Sequence, residues 1–118
     1  MHTVAIAGER YLISDGRSFE DPVGTLLVYE IDTGELLTIL STHPSDVYAL
    51  AADPHNRLWS TCRDRSIRVT GLETGHVLAR LALDRTPRFL ALVDGGRGVI
   101  IGDMAGRLSR FDYVVPPA

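Results

Sequence analysis

The chain has 118 residues, 45% apolar and 23% charged, with a net charge of −3. That is the composition of one soluble globular domain, not of a disordered or collagen-like segment. The twelve basic residues, all arginine, are scattered singly and form none of the clusters that nucleic acid or an anionic membrane surface needs. A single cysteine, Cys62, excludes an internal disulfide. No run approaches the roughly 20 apolar residues of a membrane span, and the N-terminal stretch lacks a basic region followed by an apolar core. The expectation is a soluble cytoplasmic protein.

In chain order, Thr3 to Ala7 and Tyr11 to Ser14 read as two short strands joined at Gly8-Glu9. A polar stretch, residues 15–24, follows as the one sizeable insertion, a place where recognition could reside. The segment from Gly24 to Leu40 then aligns without a gap on Arg65 to Leu81 at an offset of 41, with Asp32-Thr33-Gly34 falling on Glu73-Thr74-Gly75. The stretch from His43 to Leu83, which contains the second of these copies, reads as one complete four-stranded unit. Its strands are Val47 to Ala52, Leu58 to Cys62, Ser66 to Leu72 and Val77 to Leu83. Its turns are the clusters 53–56, 63–65 and 73–75, the last closed by an acidic side chain and a glycine.

A third copy places Ala105-Gly106-Arg107-Leu108 on Asp64-Arg65-Ser66-Ile67 at the same offset. Three partial copies at one period are a repeat. The copies alternate with period two and turn every eight to twelve residues, which excludes paired helices. Sheets this small cannot bury both faces alone and must stack on their neighbours, and the radial solution is a β-propeller. The predicted fold class is therefore all-β. It consists of antiparallel four-stranded blades of an incomplete propeller spanning residues 1–118, with blades at 1–41, 42–84 and 85–118.

The copies resemble the WD-repeat family. In the central copy His43 precedes Val47 by four residues, Ser60 precedes Asp64 by four, and Asp64 opens the turn into Ser66-Ile67-Arg68-Val69. The resemblance implies that His43, Ser60 and Asp64 form a buried structural network. Thr70 and Gly71 stand where that family has Trp-Asp. Tyr29-Glu30 and Phe111-Asp112 keep an aromatic-acid pair in the outer copies, which lack the His and the turn Asp. It also implies a partner-binding face at the start of the first strand and just before the turn Asp. In this sequence those positions are Asp46, Tyr48 and Arg63, with Arg88 matching Tyr48 in the next copy; Tyr and Arg often dominate interfaces.

The last copy runs into Pro116-Pro117 before a fourth strand, and the N-terminus opens on a first strand. Further blades from the same or another chain are therefore expected to close a ring. The completions in order of preference are a larger propeller of which this is the C-terminal part, closure with another chain, and an open arc with exposed edges.

Catalysis is not expected. His43, Ser60 and Asp64 resemble a hydrolase triad on paper, but no Gly-x-Ser-x-Gly elbow surrounds Ser60. The four histidines are dispersed, with His55 and His76 in solvated turns, and no metal-ligand spacing or cofactor motif occurs. Cys62 reads as a small buried hydrophobe, and Trp59 as a residue packed between blades. Gly95-Gly96-Arg97-Gly98 lacks the lysine and helix of a phosphate loop and reads as a turn with one extra residue. The expected function is a non-enzymatic protein or peptide interaction scaffold. The alternative is part of a quinoprotein-like or hydrolase propeller whose active site lies in other blades.

Overall fold

The computed structural model describes residues 4–14, 25–41 and 46–113. Among the described residues eleven strands fall into three antiparallel sheets. The first sheet is β1 (Val4–Ala7), β2 (Tyr11–Ser14), β3 (Thr25–Glu30) and β4 (Leu36–Ser41). The second is β5 (Val47–Ala52), β6 (Arg57–Cys62), β7 (Ser66–Gly71) and β8 (Val77–Ala82). The third, among the described residues, is β9 (Pro87–Val93), β10 (Gly98–Asp103) and β11 (Leu108–Asp112). Strands pair in sequence order within each sheet. The sheets stack through their first strands, β5 lying against β1 on one side and β9 on the other.

This stacking explains the burial of the middle sheet. A strand covered on one face alternates buried and exposed side chains, whereas five of the six residues of β6 are buried because both of its faces are covered. On one side Leu58, with Val47 and Leu50, packs on Ala5, Ala7, Ile13, Leu26, Val28 and Leu40. On the other, Trp59, Ile67 and Val69 pack on Val99 and Ile101, with Leu90, Leu92 and Tyr113 at the margin. Trp59 thus lies between the second and third sheets. The outer strand β8 is largely exposed.

The repeat is also visible in the backbone hydrogen bonds. The N–H groups of Ile31, Leu72 and Tyr113, each one repeat period from the next, donate to the carbonyls of Arg10, Asn56 and Arg97 at 2.9, 3.0 and 2.6 Å. The turns at Asp32-Thr33-Gly34 and Glu73-Thr74-Gly75 are equally alike. Gly34 and Gly75, at φ of 72° and 74°, donate to Glu30 and Gly71 at 2.8 Å in both cases, a conformation that glycine adopts without a Cβ clash. Within these turns the threonine makes the local bond, its Oγ1 accepting from the N–H of Glu35 or His76 at 3.2 Å. The Glu73 carboxylate instead accepts from Asn56 Nδ2 at 3.5 Å, so a hydroxyl and not the preceding acid serves the turn.

Candidate functional site

The end of the stack where β5 begins, β6 ends and β9 begins carries the four residues predicted to form a partner face. Asp46 directly precedes β5 and Arg63 directly follows β6, and the Arg63 N–H donates to the Asp46 carbonyl at 2.9 Å. Their side chains reach 4.0 Å from guanidinium to carboxylate, Arg63 largely exposed and Asp46 half-buried. Tyr48 is the second residue of β5 and Arg88 the second of β9, and the Arg88 guanidinium lies over the Tyr48 ring, 4.6 Å from its centroid. Two adjacent sheets therefore contribute one pair within a sheet and one across sheets. A cation held over a ring presents both a charge and a flat apolar surface to whatever docks there.

Of the residues expected to form a structural network, Ser60 and Asp64 lie among the described residues. Ser60 is fully buried and its hydroxyl donates to the Arg68 carbonyl at 3.4 Å. One Asp64 oxygen accepts from the Ser66 N–H at 3.1 Å and the Ser66 hydroxyl at 2.5 Å, while the other is 3.9 Å from the Arg68 guanidinium. Both residues thus engage Arg68, which stands opposite Ser60 in the β6–β7 register. His43 lies outside the described residues, as does the 15–24 stretch. Cys62 is buried, and His55 and His76 are exposed.

The third sheet does have an acidic residue in the corresponding turn, two residues earlier than the repeat offset places it. Asp103 accepts from the N–H groups of Ala105 and Arg107 at 2.9 and 3.0 Å. A carboxylate can serve a turn from more than one position, so a fixed offset overlooks it.

One heavily bonded side chain was not singled out by its sequence. Asp53, in the turn between β5 and β6, has a wholly buried carboxylate. It accepts from Arg57 Nε at 2.6 Å, Trp59 Nε1 at 3.0 Å, and the backbone N–H groups of His55 and Arg57 at 2.8 and 3.2 Å. Burial pushes this carboxyl up, but the bonds from Trp59, Arg57 and the two backbone groups outweigh it and hold the pKa below its ordinary value. Arg57 extends the cluster into the third sheet, donating to the Gly96 carbonyl at 3.3 Å and stacking on the Tyr113 ring at 4.5 Å from its centroid. Tyr113 meets Trp59 edge-on at 5.5 Å. Gly96 belongs to a 3-10 turn, Asp94–Gly96, that joins β9 to β10 where a turn with one extra residue was expected. These groups bond and stack on one another, so the cluster fastens two sheets.

Among the described residues no three His, Cys, Asp or Glu side chains are grouped to hold a metal ion, and no helix is long and apolar enough to cross a membrane.

No protein-family model and no curated protein sequence matches the chain. Among solved structures 888 chains match, so the architecture recurs widely. One is the crystal structure of the computationally designed Ika4 protein, with a TM-score of 0.76 and 26% identity over 93% of this chain. The match covers 64% of that designed chain, so this chain spans just under two thirds of it. Repeated antiparallel sheets stacked through their first strands fit a β-propeller-like fold.

Proposed function

We propose that the chain is a non-enzymatic interaction module, three WD-repeat-like propeller blades that present a protein- or peptide-binding face at Asp46, Tyr48, Arg63 and Arg88. The observation that carries this reading is the Arg88–Tyr48 stack across two sheets, supported by the Arg63–Asp46 pair beside it. Tyr and Arg supply large contact area with few rotatable bonds lost, and they are the side chains most often responsible for interface energy. In this reading Ser60 and Asp64 are structural, holding the turn that carries Arg63, and the module works as a scaffold within a larger assembly. A cytoplasmic setting belongs to the same proposal, suggested by a sequence whose single cysteine allows no internal disulfide.

The test is selection of binders from a displayed random peptide library, followed by titration against variants. Tyr48→Ala and Arg88→Ala are expected to weaken the selected peptides by about 2 kcal/mol each. His76→Ala, in an exposed turn between β7 and β8, should leave them unchanged. Peptides that lose affinity with His76→Ala and keep it with Tyr48→Ala would place the binding face elsewhere.

A further inference from the structure

The two joints inside the stack are built from equivalent positions. Facing the following sheet, the first sheet uses Leu26 and Val28 and the second uses Ile67 and Val69, one repeat period further along. Facing the preceding sheet, the second uses Leu58, Thr70 and Leu72. The third uses Val99, Phe111 and Tyr113, at matching register positions opposite β7 and β11.

The same positions exist at both ends of the chain. At one end Leu108 is the counterpart of Leu26 and Ile67. Those two are 0% and 3% exposed, whereas Leu108 is 73% exposed and lies beside the exposed Phe89 over Gly102. At the other end Leu12, Tyr29 and Ile31 correspond to Leu58, Thr70 and Leu72. They line, with Ile6, an open apolar hollow of about 380 Å³, and Ile6 is 58% exposed. Large apolar side chains left in water on both outer faces are costly unless something covers them.

What covers them is indicated by their match to each other. One end carries the forward half of the joint used twice inside the chain, and the other end carries the backward half. Inside the chain Val69 and Phe111 line one hollow; at the ends those positions are Arg110, which is half exposed and paired with Asp94 and Asp112 at 2.7 and 3.2 Å, and Tyr29, which lines the end hollow with Glu30, so docking would set a cation against an aromatic ring. We propose that a second copy of this chain docks head to tail, the Leu108–Phe89 face of one copy packing on the Ile6–Leu12–Tyr29 face of the next. Such a contact is heterologous, and it covers every end face only when the copies close into a ring. This goes beyond the interaction module proposed above and uses different residues, so either stands without the other.

Light scattering on the full chain over a wide concentration range tests it, with Leu108→Asp and Ile6→Asp as variants. The wild type is expected at a multiple of the single-chain mass of 12.9 kDa. Each variant alone should fall to the single-chain mass with its circular dichroism unchanged, and an equimolar mixture of the two should give a 1:1 pair. In that pair the intact Ile6 face of the Leu108→Asp copy meets the intact Leu108 face of the Ile6→Asp copy, and growth stops there. Should either aspartate unfold the chain, Phe89→Ser and Ile31→Ser probe the same two faces. A wild type that stays at single-chain mass overturns the proposal and leaves the faces to an unlike partner. Variants that still associate, or a mixture that remains at single-chain mass, overturn the head-to-tail geometry.

Discussion

The indole N–H of Trp59 ends on the Asp53 carboxylate at 3.0 Å, inside the joint between the second and third sheets. One residue closes a turn and the other fills a core, so a single bond couples local chain reversal to packing between sheets.

Replacing Asp53 by alanine strips the acceptor from Trp59 Nε1 and Arg57 Nε while both donors stay largely buried. The expected loss is about 3 kcal/mol in urea unfolding, the cost of stranding buried polar partners. The same carboxyl makes stability depend on pH. Its folded pKa is depressed, so its contribution is present above the unfolded value of about 3.9 and is lost as pH falls through the lower folded value. Wild type should therefore weaken on acidification below about pH 4. Asp53→Asn, which cannot ionise, should show less of that slope.

Gly95 and Gly96 are adjacent in one turn and should respond differently to the same change. A Cβ on Gly96 would lie 2.6 Å from the Asp53 Cβ, an atom too close to its own backbone to swing away, whereas a Cβ on Gly95 meets nothing within 4 Å. Both have positive φ. Gly95→Ala is expected to cost about 1 kcal/mol from backbone strain alone. Gly96→Ala should cost about 3 kcal/mol as the two sheets are forced apart. Equal costs in a thermal melt would mean that the joint is looser than its geometry.

Arg65 holds φ at 64° in the turn after β6, and its counterpart in the next copy, Gly106, holds 81°. The third sheet has the residue suited to that conformation and the second does not. Arg65→Gly is expected to stabilise the chain by about 0.5 kcal/mol, the relief of left-handed strain offset by added freedom of the unfolded chain. Gly106→Arg should cost a similar amount. Both are read as shifts in the unfolding midpoint.

The strands were legible because each carries its own signal. The bounds expected for Val47 to Ala52 coincide with β5, and those of β6, β7 and β8 differ by one residue. The repeat was legible because turn chemistry recurs at a fixed offset. What could not be read is whatever depends on two sheets meeting. Asp53-Pro54-His55-Asn56 is an ordinary turn cluster in sequence, and nothing in it shows that Gly96 of the next sheet packs on the Asp53 side chain. The pairing of Arg88 with Tyr48 is an intermediate case. Their equivalence was visible in the alignment, whereas the sideways reach of one over the other follows from how closely β9 lies against β5.

The bonds from Ile31, Leu72 and Tyr113 to the preceding turn in each sheet recur once per repeat with nearly the same length. A gene segment excised between two points one period apart would rejoin strand to strand in register, wherever in the unit the cut fell. A tandem duplication would likewise insert a sheet that already has both of its neighbours' contact surfaces. Such a chain can change length by recombination in whole sheets without first acquiring a new joint.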